Sequence, residues 1–135
     1  TKLNKLLFYS DFLCYKHTGF SISGAKYRAI AMGPVPMRYE GLYEYLSDNQ
    51  VINIKNTVFS DEVVGEQFLS DANHPFNEEL FSEQELDSLQ QIARHFRNTT
   101  TKQIIELSHQ EKGWKENQSV NNLIDYKYGF DLKAF

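Results

Sequence analysis

Apolar residues Leu3, Leu6, Leu7, Leu13 and Cys14 fall at offsets 0, 3, 4, 10 and 11, one face of an α-helix. Phe8, Phe12 and Tyr15 widen that stripe past half the circumference, and Gly19 supplies a stop. Residues 27–32 read as a short extended run, followed by Gly33-Pro34-Val35-Pro36. Two prolines spaced by one residue fix φ and push their predecessors out of the helical region, so this corner is rigid and extended. Pro36 suits the first turn of a second helix, with Tyr39, Leu42, Tyr43 and Leu46 at offsets 0, 3, 4 and 7.

After Asn49 the period changes to that of strands. Val51–Ile54, Thr57–Phe59 and the run from Val63-Val64 to Phe68-Leu69 are β-branched and aromatic, which predicts a hairpin or small antiparallel sheet. Asn56 and Ser60-Asp61 compete as its turn, and residues 70–80 read as a surface loop. Two capping boxes then open helices: Ser82 with Glu85, flanked by Phe81 and Leu86 at the staple positions, and Thr100 with Gln103. The last of these helices carries Ile104, Ile105, Leu107, Ser108 and His109 and is expected to end at Gly113, while residues 120–135 show no clean period. The pattern predicts a predominantly helical α+β fold, with about four or five helices and one small antiparallel hairpin or sheet, in a single domain over residues 1–135.

Composition agrees and narrows the class. The 135 residues include nineteen aromatics, enough for one core and too many for a disordered chain. One cysteine cannot form an internal bridge, which points to a reducing, cytoplasmic setting. No apolar run has the length of a membrane helix, and the chain opens at Thr1 directly on a helical pattern, which leaves room for residues upstream. Charge is polarised along the chain. Residues 1–38 hold six bases against Asp11 alone, residues 39–87 hold Lys55 against twelve acids, and residues 88–135 hold seven bases and five acids. Such clusters either steer a charged partner or cancel where segments fold together. The pI of about 5.5 opposes a general affinity for nucleic acid.

Motifs for catalysis are scarce. The four histidines stand far apart and none has a histidine or cysteine at metal-ligand spacing, so no metal and no cofactor are expected. The seven glycines form no phosphate-binding pattern, and there is no nucleophile elbow. The expectation is a non-enzymatic protein. His109 is expected to bond a nearby carbonyl at the C-terminal end of its helix, where a cation is favoured, with Trp114 anchoring the chain against the core. The competing reading makes His109 and Trp114 a polar-aromatic spot for a partner.

Several segments in order resemble one family. Residues 2–11 resemble the first helix of the Panacea domain, the SocA-like antitoxins also described as phage-associated proteins. Gly19 with Ile22-Ser23-Gly24 is similar to its turn, and Tyr27-Arg28-Ala29 leading to Gly33-Pro34-Val35-Pro36 to its extended Gly-Pro-Val segment. Leu42-Tyr43 follow in the expected helix, and Leu107-Ser108-His109-Gln110-Glu111 then Trp114 resemble its late signature, with Gly113 where the family would place proline. The resemblance implies an antitoxin that silences a co-encoded toxin by direct binding. In one branch of the family the member instead hands its toxin to a protease. The candidate binding or motif residues are Gly33, Pro34, Val35, Pro36, Tyr39, Tyr43, His109 and Trp114. The residues themselves also admit a winged-helix, DNA-binding regulator using the basic segment 1–38, against which the hairpin lies in the acidic segment.

Overall fold

The computed structural model describes residues 1–58 and 64–135, and the chain is α+β. The described residues cluster into two compact units, Thr1–Met37 with Phe81–Phe135, and Arg38–Leu80.

The first unit is built on α1 (Lys2–Thr18), which stops where Gly19 takes φ 81° and its amide closes on the Tyr15 carbonyl at 2.8 Å. Two short strands follow, β1 (Tyr27–Ile30) and β2 (Gly33–Pro36), paired antiparallel with Tyr27 opposite Pro36 and Ile30 opposite Gly33. On the other side of β1, the Ala29 amide donates to Asn122 and the Ile124 amide to Tyr27. That leaves β2 at the edge, where two residues without an N–H are tolerated. Later in the chain come α3 (Glu83–Phe96), α4 (Thr101–Ser108) and α5 (Lys112–Asn117). Both capping boxes are formed, Ser82 with Glu85 and Thr100 with Gln103, each satisfying two backbone donors at a helix start. Rings from three elements make the core: Phe8 and Phe12 lie 4.3 Å apart, Phe12 meets Tyr27 edge-on at 5.6 Å, and Tyr9 meets Phe96 at 4.9 Å. Pairs in such geometry add about 0.5–1.5 kcal/mol each beyond their area.

The second unit holds α2 (Tyr39–Asp48), β3 (Ile52–Val58) and β4 (Val64–Ser70). β3 and β4 form the expected hairpin, with Ile52 opposite Ser70 and Ile54 opposite Phe68. Tyr43 packs edge-on against Phe68 at 5.0 Å.

Several local expectations change. Pro36 ends a strand because it pairs with Tyr27, and α2 starts only at Tyr39, after Arg38 turns through φ 59°. Asn56 pairs with Glu66 inside the hairpin and is no turn, and Ser60-Asp61 lie outside the described residues. His109 caps α4 instead of lying within it. Gly113 sits inside α5, because Glu111 starts a new helix two residues earlier. An added Cβ at Gly113 would come within 2.8 Å of Ile124 and 3.0 Å of Tyr128, a close approach that accounts for glycine there. The tail without a period contributes Ile124 and Leu132 to the core and holds a 3-10 turn over Tyr126–Asp131.

Candidate functional site

In the first unit, six of the eight candidate residues converge on the β1–β2 hairpin. Its turn is gripped from three helices. From α1, the Lys5 ammonium donates to the Pro34 carbonyl at 3.1 Å. From α5, the Trp114 indole N–H donates to the Ile30 carbonyl at 2.7 Å. At the end of α4, the His109 imidazole bonds the Ala31 backbone and stacks on Trp114, with centroids 4.0 Å apart and planes 17° apart. Gly33 is required twice over: its φ is +106°, and a Cβ there would stand 2.6 Å from Lys5 Cε and 2.7 Å from Ser108 Oγ. Gly33, Pro34, Val35 and Pro36 are all buried, so the corner belongs to the interior, while Ala31 and Met32 at the turn stay exposed. Through this clamp the extended Gly-Pro-Val segment and the late His…Trp segment, 80 residues apart in sequence, become one structure.

Its electrostatics are unusual. Lys5 is fully buried without a carboxylate beside it among the described residues, and burial pushes its ammonium down to about 8. His109 is also held below its ordinary value, first by burial and then by the nearby Lys5 charge, against the opposing pull of its bond to Ala31. Its Nε2 is buried with no partner among the described residues. The bond goes to Ala31 on the distant hairpin turn and not to a carbonyl at the end of its own helix, and the environment disfavours the cation that a helix end was expected to favour. Apart from His109 Nε2, the clamp's polar groups are spent on the hairpin's backbone, and what the arrangement does is hold a hairpin in place.

Two buried carboxylates, which the sequence reading did not single out, pin further segments of the same unit. Asp11 accepts from the Ile22 and Ser23 amides at 2.8 Å each, from Ser23 Oγ at 2.6 Å and from Tyr27 Oη at 2.5 Å. Glu111 accepts from Tyr9 Oη at 3.1 Å and from the Lys133 and Ala134 amides at 2.8 and 3.2 Å. Asp11 had one legible signal: it is the single acid of residues 1–38, set inside an apolar helix, and such a charge is buried only if it is partnered.

Tyr39 and Tyr43 lie in the second unit, on α2, with ring centroids 6.1 Å apart. Tyr43 is buried and Tyr39 half-buried. Burial raises both phenols, with the Glu40 carboxylate adding to the rise at Tyr39 and Tyr39 adding to that at Tyr43. Among the described residues, no three His, Cys, Asp or Glu side chains gather as a metal site would need, and no helix is long and apolar enough to cross a membrane.

A family model described as the antitoxin SocA-like, Panacea domain matches residues 3–115, a span that contains every member of the clamp, and the chain belongs to that family. No curated protein and no solved structure matches the chain.

Proposed function

We propose that this member of the SocA-like antitoxin family silences a co-encoded protein toxin by binding it directly and covering its active face. The observation that carries the reading is the family match over residues 3–115. The geometry supports a binding protein of fixed shape. The clamp of Lys5, His109 and Trp114 immobilises the Gly33–Pro36 corner, and Asp11 and Glu111 fix a loop and the chain's end to the same helical frame. A frame held this way loses little conformational freedom when it meets a partner. In this reading Gly33, Pro34, Val35, Pro36, His109 and Trp114 hold the scaffold, and Tyr39 and Tyr43 form the inner side of α2, whose outer side is open. The toxin is met in the cytoplasm, where both proteins are made. Delivery of the bound toxin to a protease, as in one branch of the family, is compatible with the same contact.

The test is expression of the neighbouring gene product alone and together with this protein. Growth arrest by the neighbour alone, relief on co-expression, and co-purification of the two as a complex are the expected results. Relief without association would replace direct binding by an indirect route.

A further inference from the structure

We infer that the outward face of α2 is the docking surface, and that it receives a basic, lysine- or arginine-bearing face of the toxin; this deepens the antitoxin reading and rests on it. At 100° per residue the helix has two different sides. Tyr39, Tyr43, Leu46 and Ser47 make the covered side. Along the exposed arc, starting next to Ser47, Glu40, Glu44 and Asp48, spaced by four, form a column of carboxylates, all exposed. Beside that column run Leu42 and Tyr45, which are 46% and 64% exposed. Between the two rows is Gly41, where an added Cβ would meet nothing within 4 Å, so a partner side chain can come close to the backbone there. Exposed tyrosine and leucine beside uncrowded backbone is the apolar half of a contact, and the carboxylate column is its charged half.

Toward its C-terminal end the charges on this face are unfavourable to the isolated helix. Like charges four residues apart repel, and Asp48 stands at the negative end of the helix dipole with no basic residue in the last turn. Glu40 receives a hydrogen bond from Tyr39, but Glu44 and Asp48 have no cation within 4 Å among the described residues, where the single ion pair is Lys112–Asp131 in the other unit. The whole Arg38–Leu80 segment has nine acids against two bases. A cationic partner removes the repulsion and satisfies the dipole together, and the same field steers its approach.

The experiment measures binding of the purified neighbouring gene product to the full chain by surface kinetics at low and high salt. The comparison set is wild type, the Glu44→Gln/Asp48→Asn and Glu44→Lys/Asp48→Lys double variants, and Tyr45→Ala. The amide variants should slow association several-fold and the lysine variants about tenfold or more at low salt, with the differences shrinking as salt rises. Tyr45→Ala should speed dissociation by about tenfold. None of these side chains is buried, so melting curves should stay at or above wild type for the charge variants, which separates lost binding from lost folding. Wild-type association that all three variants leave unchanged overturns the assignment of this face while leaving the antitoxin reading standing. A wild-type chain that does not bind the neighbouring product overturns the antitoxin reading, and this face with it.

Discussion

The two units spend their residues in opposite ways. Thr1–Met37 with Phe81–Phe135 holds every buried polar or charged side chain among the described residues, Lys5, Asp11 and Glu111 included, and all the buried apolar ones except Tyr43. Its twelve bases and nine acids nearly balance. Among its described residues Arg38–Leu80 buries Tyr43 alone and leaves Leu42, Tyr45, Val58, Phe76 and Leu80 well exposed, and the segment has a net charge of −7. Its helix starts at Arg38 without a side-chain cap, whereas α3 and α4 each start with a full capping box. A two-stranded hairpin packed on one helix is close to the smallest assembly that holds together in water. The first unit is organised by a core and by buried polar staples. Among its described residues the second half-buries a thin apolar layer around Tyr43 and leaves nearly all its carboxylates exposed.

Asp11→Ala should strike the first unit hardest. It strands two amides and two hydroxyls, one of them on buried Tyr27, and should cost about 3–4 kcal/mol of global stability in denaturant unfolding. A loss under about 1 kcal/mol would mean that water reaches those donors and that the loop is not pinned from within. In the second unit Tyr43→Ala removes the one buried ring among the described residues and its edge contact with Phe68. About 2 kcal/mol should be lost, and hydrogen exchange should show it as faster exchange in α2, β3 and β4 with the α1 amides unchanged. Equal acceleration in α1 would erase the distinction between the units.

How much of this was legible in the sequence follows the same division. Where local chemistry decides, the reading succeeded: the helix α1, its stop at Gly19 and both capping boxes depend on neighbours within a few residues, while the β3–β4 hairpin was legible as an element but not in its turn. Where distant segments decide, it failed. Pro36 looks like a helix start until Tyr27 pairs with it, and Gly113 looks like a helix stop until Ile124 and Tyr128 occupy the space a side chain would need. The tail lacked a period because short 3-10 and extended pieces, not a long element, carry Ile124 and Leu132 inward. His109 and Trp114 were visible as residues, and their stacking was not, because the hairpin turn they hold lies some 80 positions earlier. Lys5 was hidden for a different reason. A lysine on an otherwise apolar helix reads as a solvated flank, and only the Pro34 carbonyl and the glycine beside it explain its burial.

The smallest predicted effect tests that clamp by pH. Lys5 titrates near 8 in the folded chain against 10.5 as the ordinary value, so between those two values the unfolded chain holds a proton that the folded one has released. Stability therefore rises with pH across this window. Above about pH 10 the buried phenols of Tyr9 and Tyr27, both raised, reverse the trend, because the unfolded chain then loses protons that the folded one keeps. His109 acts on the acid side. Its lowered value means that stability falls as pH drops through and below 6.5, where the unfolded imidazole takes up a proton that the half-buried one resists. Urea unfolding should show a gain of about 1–2 kcal/mol from pH 8 to pH 10. Lys5→Met should flatten that gain, since it fills similar volume without a charge, and His109→Gln should flatten the acid limb alone. Hydrogen exchange should find both slopes in the first unit, with the amides of α2 indifferent to either substitution. A gain between pH 8 and 10 that survives Lys5→Met would place its source elsewhere and show that the Lys5 ammonium is better solvated than its buried setting implies.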